Sequence, residues 1–274
     1  MDSFQAIIIA IIEGLTEYLP VSSTAHMIFT SSIFGIQDDE FVKMFQVSIQ
    51  FGAILAVVAL YWKKFFDFKN IGFYIKLIVA VIPALVLGLL FDDAIEAIMG
   101  ETISIAIMLI VGGIILLFID KLFSKTANRN KIEKEENISL TKALIIGFWQ
   151  CLAMMPGTSR SAASIIGGMQ QGLTRKMAAE FSFFLAVPTM LAVTTYSVFV
   201  KDWTHKGIEQ KGYEMIFANS ANTMNFIIGN AIAFVVAIIA IKFFIGILQK
   251  YGFKVWGWYR IIAGIILIAY FSMR

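Results

Sequence analysis

The sequence has 274 residues, of which 59% are hydrophobic and only 15% are charged. Soluble domains contain about 25% charged residues, and a chain of this length has too little interior to bury so much apolar surface. The composition therefore excludes a soluble globular enzyme, a disordered protein and a nucleic-acid-binding protein, and it predicts an integral membrane protein, for which the net charge of +3 says less than the positions of the charges.

The first apolar region, residues 4–36, is interrupted by polar residues. Its first apolar stretch ends at Glu13 and Glu17, and after Pro20 come three hydroxyl residues, Ser22, Ser23 and Thr24. Each apolar half is shorter than the ~20 residues that a membrane-spanning helix needs. Irregular backbone at membrane depth is tolerated only inside protein or beside a water-filled cavity. We therefore predict a re-entrant helical hairpin that enters and leaves the membrane on the same side.

Six later segments are long and apolar enough to cross a membrane. They are residues 44–62, 71–91, 102–119, 177–200, 215–241 and 256–273. Between the third and the fourth lies a second broken region, residues 142–173, whose centre is Pro156-Gly-Thr-Ser-Arg-Ser161. This region predicts a second re-entrant hairpin.

The two broken regions are weakly similar. A shift of 136 residues places Pro20 on Pro156 and Ser23 on Ser159. Each half is then a hairpin followed by three spans, and because three is an odd number the second half must be inserted upside down. We predict an all-α membrane protein with an inverted-topology repeat, formed by residues 1–123 and 140–274 and joined by a cytoplasmic linker, residues 124–139.

Lys and Arg residues are distributed unevenly between the two predicted sides of the membrane. Of the 22, sixteen fall on the side reached after the first span, five fall on the other side, and Arg160 lies inside the second hairpin. This count includes Arg260 on the cation-rich side. Since cytoplasmic loops are rich in Lys and Arg, the count predicts a multi-pass membrane protein with both termini outside.

Few ionisable residues remain at membrane depth, where a charged side chain usually marks a functional site. They are Glu13, Glu17, His26, Arg160 and Glu180. Glu13 and Glu17 are four residues apart and share one face of a helix, so their carboxylates need a cation, a metal ion or a shared proton. Arg160 is the natural partner. Glu180 lies near the start of its helix, so its position is compatible with a structural role as well as with a functional one.

The residues after Pro20 and Pro156 are expected to begin new helices. A helix N-terminus binds anions through its unpaired N–H groups, hydroxyl side chains add donors, and arginine offers a bidentate fork to phosphate. The two hairpins therefore predict a phosphate or diphosphate site. Glu13 and Glu17 fit such a site if they hold Mg²⁺ or Ca²⁺ against the diphosphate or if they move protons.

Two segments resemble the signatures of the bacterial undecaprenyl-diphosphate phosphatases, the integral-membrane family also called bacitracin-resistance proteins. They are Glu13-Gly-Leu-Thr-Glu17-Tyr-Leu-Pro-Val-Ser-Ser-Thr-Ala-His26 and Pro156-Gly-Thr-Ser-Arg160-Ser. The resemblance covers nearly the whole chain. It departs from the family pattern at Ala25 and Ala162, where the family usually has glycine.

The resemblance implies hydrolysis of undecaprenyl diphosphate to the monophosphate and inorganic phosphate, which recycles the lipid carrier for cell-wall synthesis and confers bacitracin resistance. It also implies a location in the bacterial inner membrane with the active site facing outside, a divalent cation, Mg²⁺ or Ca²⁺, and a homodimer. The catalytic set that it implies is Glu13, Glu17, Ser23, His26 and Arg160. Further substrate-binding residues are expected at Ser22, Thr24, Gly157, Thr158, Ser159 and Ser161, with Glu13 and Glu17 as metal ligands.

Two mechanisms and one rival function are compatible with these residues. In the first mechanism Ser23 attacks the terminal phosphorus, Glu17 or His26 takes the proton, and water then cleaves the phosphoserine. In the second, a metal-bound water attacks and Ser23 only binds phosphate. The rival function is transport of the lipid monophosphate, because inverted repeats with broken helices and buried acids are typical of transporters.

Overall fold

The computed structural model describes residues 1–91, 102–129, 131–155, 157–205 and 207–273. Pro156 and two of the counted cations, Lys206 and Arg274, lie outside the described residues. Up to residue 129 the chain forms the helices α1 (Ser3–Thr16), α2 (Ser23–Ile33), α3 (Glu40–Ser48), α4 (Gln50–Leu60), α5 (Trp62–Phe65), α6 (Ile71–Leu90) and α7 (Thr102–Arg129).

The rest of the described chain is also mainly helical. A 3-10 turn (Glu135–Asn137) precedes α8 (Leu140–Cys151), a second 3-10 turn (Leu152–Met154), α9 (Arg160–Gln170) and α10 (Arg175–Thr195). A π-helical turn (Tyr196–Val200), the strands β1 (Asp202–His205) and β2 (Ile208–Lys211), and the helices α11 (Gly212–Phe217), α12 (Ser220–Tyr251) and α13 (Lys254–Ser272) follow.

The prediction of six membrane spans is confirmed. The helices that are long and apolar enough to cross a membrane are Glu40–Leu60, Ile71–Leu90, Thr102–Phe123, Arg175–Val200, Ser220–Tyr251 and Lys254–Ser272. Large apolar side chains on their outward faces are exposed, as expected where lipid is the solvent; Leu89 and Ile239 are examples. Two bounds differ from the prediction. The first span begins four residues earlier than expected, at Glu40, and is divided into α3 and α4. The fifth runs ten residues further than expected, to Tyr251.

Each broken region forms two short helices separated by a loop, as predicted. In the first region, α1 ends at Thr16 and α2 begins at Ser23. We call the residues between them, 17–22, the first loop. In the second region α8 is followed by a 3-10 turn, and α9 begins at Arg160. We call Gly157, Thr158 and Ser159 the second loop.

The two halves of the chain pack into each other. Helix α1 packs on α12 of the second half, and α8 packs on α6 of the first half. Glycines allow the close approach, since a Cβ on Gly14 would stand 2.8 Å from the carbonyl oxygen of Ala233. Helices α7 and α13 also pack together, with Gly113 and Gly257 in reciprocal backbone contact. This arrangement brings the two loops together in the middle of the bundle.

One element was not predicted. Strands β1 and β2 form an antiparallel hairpin after α10, with Trp203 paired to Gln210. The turn contains Gly207, which has a φ of +79°. Trp203 is buried against Phe41 and Met44, so the hairpin covers the end of the bundle at which α3 begins.

Candidate active site

A cavity of about 360 Å³ lies between the two loops. The N-terminal ends of α2 and α9 both contribute to its wall. Of the residues that the sequence nominates, the wall contains Glu17, Ser22, Ser23, Thr24, Gly157, Thr158, Ser159 and Arg160. The structure therefore brings together eight of the eleven predicted site residues, and it places Glu13, His26 and Ser161 outside the wall.

Glu17 connects the two loops. Its Oε2 accepts a hydrogen bond of 2.6 Å from the hydroxyl of Ser23, and its Oε1 accepts one of 2.8 Å from Nη2 of Arg160. All three side chains are buried. The predicted pairing of a first-hairpin acid with Arg160 is present, and it is made by Glu17. A hydroxyl bonded to a carboxylate is the arrangement that activates a serine nucleophile.

Arg160 is held by two partners and keeps one N–H group unpaired. Its Nη1 donates to the carbonyl oxygen of Ser182 at 2.9 Å, and Nη2 binds Glu17. Its Nε is buried and has no hydrogen-bond partner among the described residues. A buried N–H without a partner costs free energy, so the surroundings of Arg160 leave part of its hydrogen-bonding capacity unused.

Two helix N-termini face the same space. Ser22 caps α2 and accepts from the backbone N–H of Ala25 at 3.5 Å, and Ser159 caps α9 and accepts from that of Ala162 at 3.3 Å. Ser22 has a φ of +69°, and no other non-glycine residue in the described ranges has a positive φ. Such strain is often found at functional sites. Here it turns the chain from the first loop into α2.

The first loop is anchored by hydroxyls from the second half. The carbonyl oxygen of Leu19 accepts hydrogen bonds from Ser161 at 2.8 Å and from Ser159 at 3.3 Å. Ser161 is fully buried and contacts the loop instead of the cavity. Next to Leu19, the hydroxyl of Tyr18 donates to the carbonyl oxygen of Ala53 at 2.9 Å. These bonds hold the backbone that carries Glu17.

Glu13 lies behind Glu17. It is fully buried, and neither carboxylate oxygen has a hydrogen-bond donor among the described residues. The polar group that it faces is the carboxyl of Glu17. Two buried carboxyls without an intervening donor require a shared proton or a cation. In the described ranges no cluster of three or more His, Cys, Asp or Glu side chains could hold a metal ion by itself.

His26 faces away from the cavity. Its Nδ1 donates to the carbonyl oxygen of Ser22 at 2.8 Å, so Nε2 of the neutral ring accepts from the hydroxyl of Tyr259, also at 2.8 Å. The two rings stack with centroids 5.7 Å apart. His26 therefore fixes the backbone of Ser22 at the start of α2.

The assignment of Arg260 to the cytoplasmic side is wrong. The residue lies inside the bundle, 1% exposed, and its guanidinium donates to four backbone carbonyls. These belong to Met108, Leu109, Pro20 and Gly157. The sequence placed it near the start of the last span, but α13 begins at Lys254, so Arg260 is nearly two turns inside that helix.

Glu180 has local partners that suit a structural role. Its carboxylate lies 3.9 Å from Nζ of Lys176, one turn earlier in α10, and it is close to the side chain of Tyr61. Neither it nor these partners belong to the cavity wall.

Part of the cavity wall was missed by the sequence analysis. It contains polar residues from predicted spans, from the second broken region and from the π-helical turn: Gln50, Gln150, Thr189, Tyr196 and Ser197. Gln150 donates to the hydroxyl of Thr189 at 3.1 Å, and its Oε1 is buried without a partner in the part of the chain that the structure describes. Amides within apolar helices were the available signal. The remaining wall is mostly apolar and comes largely from α6 and α10.

The arrangement suits displacement at phosphorus. It offers a hydroxyl bonded to a carboxylate, an arginine with an unpaired N–H, and two helix N-termini around one buried space. Phosphoryl transfer depends mainly on positioning and on neutralising charge on the transferred group, and these elements supply both. The apolar wall beside them suits a lipid chain.

Comparison with known proteins points the same way. The family model described as bacitracin resistance protein BacA matches residues 6–266. The chain is 52% identical over 268 residues to the undecaprenyl-diphosphatase of Flavobacterium johnsoniae, covering 98% of this chain and 96% of the relative. It is 47% identical over 285 residues to that of Porphyromonas gingivalis, with 98% and 96% covered. It is 45% identical over 268 residues to that of Bdellovibrio bacteriovorus, with 98% and 95% covered.

Proposed function

Because the chain belongs to the family of bacitracin resistance protein BacA, we propose that this cavity removes the terminal phosphate of undecaprenyl diphosphate and releases undecaprenyl phosphate and inorganic phosphate. Relatives named undecaprenyl-diphosphatase match this chain over nearly their full length. The observation that carries the proposal is the 2.6 Å hydrogen bond from Ser23 to Glu17, with Glu17 held by Arg160.

The substrate's two chemical parts match two parts of the cavity. Arg160 and the N-termini of α2 and α9 face the diphosphate. The prenyl chain lies along the apolar wall, to which α6 contributes Ala84, Leu85 and Leu89. Lipid diphosphate therefore reaches the site from the bilayer, with its charged end directed inward.

In the first step, Oγ of Ser23 forms a bond to the terminal phosphorus while the bond from that phosphorus to the bridging oxygen breaks. Glu17 takes the hydroxyl proton through the existing hydrogen bond. Undecaprenyl phosphate leaves, and the phosphoryl group stays on Ser23. Arg160 and the helix N-termini balance the negative charge of the transferred group.

In the second step, water attacks the phosphoserine. Glu17 now accepts the water proton and returns a proton to Oγ of Ser23, so that inorganic phosphate is released and the starting state is restored. His26 acts in both steps through the backbone of Ser22, because its ring nitrogens are occupied by Ser22 and Tyr259.

A divalent cation fits the acidic side of this site. Glu13 and Glu17 would hold it, since Mg²⁺ is commonly bound by one or two carboxylates together with substrate phosphates, and the carboxyl of Glu13 has no donor of its own. When bound, it would neutralise charge on the diphosphate.

The topology proposed from the sequence has support in the packing. Helix α1 packs on the second half and α8 on the first, and Gly113 and Gly257 meet reciprocally, as a two-fold relation between inverted repeats would require. We infer that the broken regions are re-entrant hairpins meeting near the membrane midplane.

The charge distribution supports an outward-facing site. Without Arg260, the cation-rich side keeps fifteen of the 22 Lys and Arg residues and is cytoplasmic by the positive-inside rule. The cavity wall includes Lys201 and Trp203, which belong to the other end of the bundle, where the N-terminal amino group lies 4.0 Å from Asp39. Both termini then lie outside, at the bacterial inner membrane.

The decisive experiment measures phosphate release from undecaprenyl diphosphate by the purified protein in detergent with Mg²⁺, where transport cannot contribute. Wild type should turn over, and Ser23→Ala should lose activity and form no phosphoserine after an acid quench with ³²P-labelled substrate. No phosphate release by the wild type would refute the proposed function. Substantial activity in Ser23→Ala would instead favour attack by metal-bound water.

In the cell, this activity would recycle the lipid carrier for cell-wall synthesis and lower sensitivity to bacitracin. The homodimer implied by the resemblance stays a prediction, which the mass of the protein in detergent would test.

A further inference from the structure

The guanidinium of Arg260 lies between the two loops that carry the site. Its Nη1 donates to the carbonyl oxygen of Pro20 in the first loop at 3.2 Å, and Nη2 donates to that of Gly157 in the second loop at 2.8 Å. Nε and Nη2 also bind the carbonyls of Leu109 and Met108 in α7, at 3.1 and 3.3 Å. One side chain thus joins both halves of the site to a membrane-spanning helix.

Among the described residues, the surroundings of Arg260 offer it backbone carbonyls from both loops and no partner for an ion pair. Its hydrogen-bond partners are all backbone carbonyls, and no carboxylate in the described part of the chain lies within ion-pair distance. Gly112 leaves space for the guanidinium, since a Cβ there would collide with it. Burying an arginine is costly, so its position needs a gain elsewhere.

The gain is geometric. Pro20 lies three residues before Ser23, and Gly157 lies three residues before Arg160. Holding both carbonyls fixes where α2 and α9 begin relative to each other, and therefore where the nucleophile stands relative to the guanidinium of Arg160. The two hydrogen bonds from Arg260 also provide donors for these carbonyl oxygens, which would otherwise repel an anion bound in the site.

We propose that Arg260 is a positioning residue that holds the Ser23 loop and the Arg160 loop in their reactive arrangement. This inference rests on the proposed function. Displacement of a reacting group by about 1 Å can cost on the order of 10²-fold in rate, so the effect of losing the bridge should fall on kcat. KM should change little, because Arg160 and both helix N-termini still bind the diphosphate.

The test uses Arg260→Ala and Arg260→Lys in the detergent phosphate-release assay, with kcat expressed per folded protein from size-exclusion chromatography. We expect kcat to fall about 10²-fold in Arg260→Ala with KM within about threefold. Added guanidinium should restore at least part of kcat by occupying the vacated space, whereas sodium chloride at equal ionic strength should not. A role in stability alone would give the opposite response, since guanidinium weakens folding.

Arg260→Lys keeps the charge but cannot reach all four carbonyls, so its kcat should also fall, about tenfold by the same reasoning. It also carries the test if Arg260→Ala does not fold. The matched control is Arg175→Ala, which removes a guanidinium paired with Asp120 at 2.6 Å away from the cavity; it should keep wild-type kcat and show no rescue.

Three results would overturn the positioning role: wild-type kcat in Arg260→Ala, wild-type kcat in Arg260→Lys, or equal rescue by guanidinium and sodium chloride. Each leaves the proposed function standing, provided that the wild type turns over. Absence of wild-type turnover would refute the function itself.

Discussion

Replacing Glu17 by glutamine tests the central hydrogen bond of the site. The amide must present its oxygen to Arg160, because the guanidinium has only donors. Its NH2 group then faces the hydroxyl of Ser23, which loses its base. The change keeps the shape of the side chain, so that chemistry and folding can be separated.

The expected magnitude follows from the two bonds that Glu17 makes. General-base catalysis contributes about 10²–10⁴-fold, and we therefore expect kcat to fall by about that factor. Truncation to alanine would in addition leave Arg160 without its charge partner, which costs about 3–5 kcal/mol of stability for a buried pair. Glu17→Gln should cost less, since a hydrogen bond to Arg160 remains.

The assay is phosphate release in detergent, with thermal unfolding of the same samples. The matched control is Glu180→Gln, because that carboxylate also lies close to a hydroxyl residue, Tyr61, and to a cation, Lys176. Glu180→Gln should keep kcat within about twofold, because a partly exposed ion pair contributes little free energy. A Glu17→Gln enzyme within threefold of wild type, or an equal loss in Glu180→Gln, would refute the reasoning.

Three further predictions use other contacts. Gly157→Ala should lower both kcat and the unfolding temperature, because φ is +86° and its Cβ would meet the carbonyl of Ile105; Gly207→Ala, with φ +79° and open space, should affect stability alone. Tyr259→Phe should lower kcat about two- to tenfold, because it removes one neutral hydrogen bond. The measurement is kcat as a function of pH. Chelation with EDTA should abolish turnover and added Mg²⁺ restore it, with more Mg²⁺ needed in Glu13→Gln.

The charges inside the membrane were predictable because lipid tolerates few of them. An arginine and an acidic residue at membrane depth are expected to form a pair, and Glu17 and Arg160 form such a pair. The helix starts at Ser23 and Arg160 were also predictable, since a proline followed by hydroxyl residues is a common start signal. These two rules were enough to nominate the eight residues that the two loops and the starts of α2 and α9 contribute to the cavity wall.

Other features depend on contacts between distant segments. Tyr259 and Arg260 come from the last helix, and nothing near His26, Pro20 or Gly157 in the sequence indicates that they meet there. Arg260 was assigned to the cytoplasmic side because hydropathy gives the length of a span but not its register in the membrane. Ser161 was expected to bind substrate, but its neighbour in space is the carbonyl of Leu19.

The order of synthesis gives the last helix a particular importance. Glu17 and Ser23 are synthesised first, and Arg160 is synthesised much later. Tyr259 and Arg260 follow only with α13, the last helix. Until then the carbonyls of Pro20 and Gly157 lack their shared donor and His26 lacks its hydroxyl. A nascent chain with five spans in the bilayer would already contain every residue proposed to touch substrate, but not the donors that hold their loops in place. We therefore expect full enzymatic activity to arise late in membrane insertion.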